Sequence, residues 1–155
     1  MAMIQEGKQA PDFVLASSEG GEVSLKSLKG KAVVLYFYPK DDTPGCTREA
    51  CAFRDSQPAL KRKGVVVLGV SADSLAAHGK FKAKYKLNFP LLSDPDKAVA
   101  RKYGAWGEKV LYGKKSVGMI RSTFVIDAEG VVRKVFPRVK VDGHADKVLE
   151  VVSQL

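Results

Sequence analysis

The sequence predicts an α/β fold, a mixed central sheet flanked by helices, and three observations carry that expectation. Two continuous apolar runs rich in β-branched residues, Ala32–Tyr38 (AVVLYFY) and Val65–Val70 (VVVLGV), read as central strands covered on both faces. A helix-length stretch from Thr43 to about Lys63 joins them, so the two strands should be parallel. Further on, Ser122–Asp127 (STFVID) and Val131–Phe136 (VVRKVF) flank Ala128-Glu129-Gly130 and read as an antiparallel hairpin with Gly130 in its turn.

The remaining elements follow in order. Ser74 is a cap for a helix running to Tyr85. In DPDKAVARKY, Asp94 is the expected cap and Pro95 the first helical residue of a helix ending at Tyr103. The last helix is expected over about Ala145–Leu155, where Ala145, Val148, Leu149, Val152 and Leu155 recur at helical spacing and make one buried face. Phe81, Tyr85 and Phe89 are expected in the core, and Trp106 and Tyr112 in a loop-like stretch beside the site. There is no repeat, low-complexity segment or linker, and 155 residues suit one domain spanning 1–155.

Composition narrows the function. Apolar residues are 45% and charged residues 28%, an ordinary globular balance, with no apolar run long enough for a membrane helix. The start, MAMIQEGKQAPDF, lacks the apolar centre of a signal peptide, so the expected location is cytoplasmic, with no membrane partner. Lys and Arg number 26 against 17 Asp and Glu, a net charge of +9, which raises nucleic-acid binding as a reading. The basic residues are scattered among acidic ones, as in KRK at 61–63 and KK at 114–115, so a solvated surface is the preferred account and nucleic acid is not an expected partner. Only two cysteines and two distant histidines, His78 and His144, argue against an iron–sulfur or structural zinc site. His144 is expected at the start of the last helix rather than in catalysis.

Chemistry concentrates in YPKDDTPGCTREAC, residues 38–51, where the first central strand passes into the first helix. The carboxyl ends of strands are where α/β folds place sites. Thr43 suits the N-cap and Pro44 the first helical position, which puts Cys46 in the first turn. There, unpaired backbone N–H groups and the helix dipole favour an anion, and thiolate is the reactive form of a group whose ordinary pKa is about 8.5. The Thr43 hydroxyl is positioned either to cap the helix or to donate to sulfur. Glu49 lies one turn on, on the same face as Cys46. A carboxylate alone would oppose the thiolate, so the site requires a cation that pairs with Glu49 and faces the sulfur; Arg48 points away. Cys46 and Cys51 lie five residues apart, which on an intact helix means about 140° and roughly 8–9 Å between Cα atoms. A disulfide needs Cα atoms within about 7 Å. If the pair bonds, the helix must unwind locally.

The pattern Pro39-x-x-x-Thr43-x-x-Cys46-x-x-Glu49 resembles the active-site signature of the peroxiredoxins, and the chain is similar to their Q, or bacterioferritin comigratory, group. The resemblance spans nearly the whole length, through APDFVL at 10–15, YFYPKDDTPGCTREAC at 36–51, GVSADS at 69–74, KFKAKYKLNFPLLSD at 80–94 and RSTFVID at 121–127. It implies a thioredoxin-like fold, with which the strand order is compatible. It further implies that Cys46 attacks hydrogen peroxide or an organic hydroperoxide, and that Arg121, far along the chain, supplies the required cation. By the same resemblance Thr43 binds peroxide and sulfur, Pro39 shields the thiolate, and Cys51 resolves the sulfenic acid as a disulfide. No cofactor or metal is implied; the expected partners are a hydroperoxide and thioredoxin or a similar dithiol, with a monomeric protein. Two other readings remain. A thioredoxin-like disulfide oxidoreductase would want C-x-x-C and a proline before the strand opposite the cysteine, and Arg121-Ser122-Thr123 has none. A basic nucleic-acid-binding module is the other.

Overall fold

The computed structural model describes residues 3–111 and 113–155. Its strands are β1 (Val14–Ser17), β2 (Glu22–Ser24), β3 (Ala32–Phe37), β4 (Val65–Ser71), β5 (Leu91–Ser93), β6 (Trp106–Leu111), β7 (Lys114–Met119), β8 (Ser122–Ile126) and β9 (Val132–Phe136). The helices are α1 (Pro44–Arg62), α2 (Leu75–Tyr85), α3 (Ala98–Tyr103) and α4 (His144–Val152). Seven strands form one mixed sheet in the order β2-β1-β5-β4-β3-β8-β9, and β6 with β7 makes a separate hairpin. This is the expected thioredoxin-like α/β arrangement.

The centre of the sheet behaves as the apolar runs require. β3 pairs parallel with β4, Val33 opposite Val66 and Leu35 opposite Leu68, and antiparallel with β8. Successive β3 side chains point to opposite faces. Val33, Leu35 and Phe37 enter one core with Phe124, Tyr103 and Leu68, while Val34, Tyr36 and Tyr38 enter another with Phe53, Phe81 and Phe89. Each such fully buried side chain contributes about 1.5–3 kcal/mol of transfer free energy, so two-sided burial explains why this strand has no polar alternation. α1 and α4 cover the second face, and α3 packs on the first. The β8–β9 turn is as expected: Gly130 has φ +84°, and the Asp127 carboxylate accepts from the N–H groups of Glu129 and Val131.

Several boundaries differ from the expectations. Ser74 caps α2 through its Oγ, which accepts from Ala77 N at 3.2 Å. Pro95, however, is not the first residue of α3. That helix starts at Ala98, after Lys97 turns through φ +61°, and Asp94 caps it from further back by accepting from Val99 N and Ala100 N. α4 ends at Val152, so Leu155 is not on the buried face but is 47% exposed. The short strands β1, β2 and β5 and the β6–β7 hairpin were not expected. The hairpin replaces the loop around Trp106; its residues 114–117 are all exposed, so no apolar alternation announces it. Tyr112 lies outside the described residues. Among the described residues, no helix is long and apolar enough to cross a membrane.

Pro58 sits inside α1, where it cannot donate to the carbonyl of Arg54. Asn88 supplies the missing partner: its Nδ2 donates to Arg54 O at 3.2 Å. Arg54 in turn donates to Tyr85 O at 2.7 Å, and Gln57 to Asn88 O at 3.3 Å, so the middle of α1 is tied to the end of α2.

Candidate active site

β3 delivers the chain to the segment 38–43, and Thr43 turns it into α1 with extended dihedrals (φ −93°, ψ 155°) and Pro44 as first helical residue. The Thr47 N–H closes the first turn on Thr43 O at 2.8 Å. Cys46 therefore stands in that turn as expected, with 1% of its surface exposed. Of the residues anticipated from sequence, Arg121 contacts Cys46 and holds Glu49 beside it, whereas Thr43 is turned elsewhere. Thr43 Oγ1 donates to Lys40 O at 2.9 Å, and makes neither a cap bond nor a bond to Cys46. The bond ties 40 to 43 across a tight turn. Pro39 is half-buried in the same loop.

Arg121, in the residue before β8, meets the need for a cation. Nη2 donates to Cys46 Sγ at 3.2 Å and Nη1 to Glu49 Oε1 at 2.7 Å. One planar guanidinium thus spans both groups, as its fork geometry allows and a lysine could not. Glu49 is not a surface residue: its side chain is 1% exposed, and Oε2 has no hydrogen-bond partner. Burial pushes its carboxyl up to about 7, with the Arg121 charge pulling the other way. Burial also works against the charge of Arg121, but Glu49 and Cys46 outweigh it and hold the guanidinium above its ordinary pKa. Arg48 points away, as expected, and pairs with exposed Asp142 at 2.7 Å.

Cys51 is half-buried and unbonded on the continuous helix that carries Cys46. His144 opens α4, buried between Phe53 and Phe136, with Nε2 2.8 Å from Thr123 Oγ1. Burial, then Lys147 and Arg121, push it down to about 4, so it is neutral near pH 7 and serves packing. Trp106 does not line the site: it packs on the first core, beneath Lys97 and Arg101.

Three features escaped the sequence reading. Gly45 leaves space for Arg121, since a β-carbon there would sit 3.1 Å from Nη2. Lys109 of β6 is half-buried, its stem lying across Gly118; burial and then Arg121 push its ammonium down, and Cys46 opposes them. Asp41 is the third. It accepts from Tyr38 Oη at 2.5 Å, lies 2.6 Å from His78 Nδ1, and its N–H donates to Asp73. Asp41, Asp73 and His78 bring three possible metal ligands within 4.8 Å. Both ring nitrogens of His78 are engaged, Nε2 with Leu92 O at 2.9 Å, so the group ties the loop to α2. A hint of Gly45's role lay in its place beside the cysteine; Lys109 and the Asp41–His78 contact left no local signal.

Comparison with known proteins shows the family. The profile of the AhpC/TSA family matches residues 6–135. A peroxiredoxin Bcp of Coxiella burnetii is 57% identical over 152 residues, covering 98% of this chain and 99% of its own. The solved bacterioferritin comigratory protein of Xanthomonas campestris, described for alkyl peroxide reduction, superposes with a TM-score of 0.87 at 42% identity over 92% of this chain and 90% of its own. A cysteine-to-serine mutant of Xylella fastidiosa PrxQ gives 0.92 at 33% identity, over 99% and 98%. The chain therefore belongs to the AhpC/TSA family, as a peroxiredoxin of the Bcp, or Q, group. Its activity is that of the class, a thiol-dependent peroxidase, and neither the disulfide-oxidoreductase nor the nucleic-acid reading is favoured.

Proposed function

We propose that Cys46 is the peroxidatic thiolate and reduces hydrogen peroxide and organic hydroperoxides. The observation that carries this reading is the Arg121 fork on Cys46 Sγ and Glu49. The thiolate attacks the O–O bond and becomes a sulfenic acid. Arg121 and the backbone N–H at Cys46 hold the peroxide oxygens and stabilise charge as it develops. Thr43 turns its hydroxyl from Lys40 O to the peroxide, and Pro39 keeps water from the sulfur. The alkyl peroxide activity described for the Xanthomonas relative supports an organic hydroperoxide as one substrate.

Cys51 then condenses with the sulfenic acid. The two cysteines share the continuous helix α1, so bonding requires its first turns to unravel. Thioredoxin or a similar dithiol reduces the disulfide by exchange. The chain works as a single cytoplasmic domain and a monomer, without metal, cofactor or nucleic acid.

The test is to treat reduced protein with one equivalent of hydrogen peroxide and count free thiols, in wild type and in Cys46→Ser. Rapid loss of both thiols in wild type, with Cys51 intact in the variant, supports the assignment. Loss no faster than that of free cysteine overturns it. For Cys51, turnover of Cys51→Ser with a small thiol but not with thioredoxin supports a resolving role; unchanged turnover with both removes it.

A further inference from the structure

Cys46 and Glu49 share one guanidinium in a nearly closed pocket, each 1% exposed. With both ionised, the pocket would hold two negative charges against the single charge of Arg121. The second oxygen of Glu49 is buried without a donor. An uncompensated buried anion costs far more than a neutral carboxyl in the same place.

The other titratable groups around this pair leave that Glu49 oxygen without a donor. Tyr36 reaches in from β3 with a buried, unpaired hydroxyl; burial raises its pKa first, and the charges of Glu49, Cys46 and Asp41 raise it further. His144, at the start of α4, is held neutral. Lys109 approaches from β6, where burial and then Arg121 push its ammonium down and Cys46 opposes them, but it makes no hydrogen bond to Glu49. A proton on Glu49 Oε2, the buried oxygen that no group donates to, removes the second negative charge, and burial has already brought this carboxyl to about 7, within reach of both forms.

We propose that Glu49 stores a proton while Cys46 is a thiolate, and releases it when Cys46 becomes a neutral sulfenic acid. The inference rests on Cys46 being the sulfur that peroxide oxidises. In that step the thiolate lone pair forms an S–O bond to the terminal oxygen of ROOH and the O–O bond breaks. Sulfur is oxidised by two electrons, and RO⁻ leaves needing one proton. The Glu49 proton meets that need, so thiolate, ROOH and protonated Glu49 become sulfenic acid, ROH and ionised Glu49. The charge of the pocket is the same before and after. Glu49 is thus the proton donor of the step, and once ionised it draws the guanidinium that the neutral sulfenic acid no longer holds.

The experiment uses Cys51→Ser, so that oxidation stops at the sulfenic acid. One equivalent of hydrogen peroxide is added at pH 7 in weak buffer with a pH indicator, and proton uptake is compared with the thiolate fraction read by ultraviolet absorbance. Uptake clearly below the thiolate fraction is expected, since part of the demand is met internally. Adding Glu49→Gln should make the two equal. The infrared C=O band of a protonated carboxyl should fall on oxidation in Cys51→Ser, and this readout stands even if the Gln variant does not fold. Rapid sulfenic acid formation with uptake equal to the thiolate fraction and no infrared change overturns the proton store alone. Failure to form sulfenic acid overturns the peroxidatic reading of Cys46, and the inference with it.

Discussion

Gly45 and Arg121 are packed so closely that a side chain at residue 45 would press on the guanidinium: an added β-carbon would lie 3.1 Å from Nη2, the nitrogen that donates to Cys46. Gly45 lies in the first turn of α1 with no positive φ, so alanine suits the backbone and adds about 0.5–1 kcal/mol of helix stability. The guanidinium must move instead. Gly45→Ala should hold or raise the melting temperature while lowering kcat/KM for peroxide several-fold. Parallel thermal melts and stopped-flow oxidation check this, and unchanged kcat/KM would count against the Arg121–Cys46 contact as the source of reactivity.

Arg121→Lys keeps the charge but cannot span both partners. Loss of one donor to a developing oxyanion costs about 10²–10³ in rate. A fall of about a hundredfold in kcat/KM with peroxide is expected, measured beside a thiol titration that shows both cysteines intact. A variant within threefold of wild type would make the fork geometry dispensable.

Stability should respond to pH through two opposed groups. The Glu49 carboxyl is raised from 4.5 to about 7, so the folded state holds a proton that the unfolded state releases. That contribution is complete below pH 4.5 and disappears as pH rises to about 7; it is about 3 kcal/mol by linkage. His144 is lowered from 6.5 to about 4, so its contribution is present above pH 6.5 and lost as pH falls towards 4. Between pH 4.5 and 6.5 the two slopes oppose each other. In denaturant titrations Glu49→Gln should gain stability as pH rises through this window, and His144→Gln should lose it. Parallel curves for the two variants would contradict the burial of one of them.

Amide exchange over residues 46–52 should be slow in the reduced protein, where α1 is continuous, and fast in the disulfide form. Equally slow exchange in both states would mean that the cysteines bond without unwinding the helix, which their separation forbids.

The parts legible in the sequence were those set by neighbours along the chain. β3 and β4 announced themselves because both faces are buried, and the start of α1 because a proline at the first helical position is a local signal. The need for a cation beside Cys46 and Glu49 followed from charge alone, yet only family resemblance pointed to Arg121. α3 was misplaced because Asp94 reaches its N–H groups from five and six residues away. The β6–β7 hairpin carries lysines on exposed positions and so lacks apolar alternation. The Thr43 hydroxyl could be aimed only once the Lys40 carbonyl had a position. Spacing put Glu49 on the face of Cys46 but could not show its burial, because that depends on Arg121, distant in sequence.

The clasp at Pro58 has a consequence for turnover. An unwinding front that starts at Cys46 and runs along α1 meets Arg54, whose carbonyl is held by Asn88 and whose side chain is held by Tyr85 O. The proline has already severed the bond by which disorder would pass to the next turn. In the cycle proposed for Cys46 and Cys51, residues 54–62 would therefore act as a firebreak: a short length of helix would melt and rebuild, while the distal half remained the template on which it reforms.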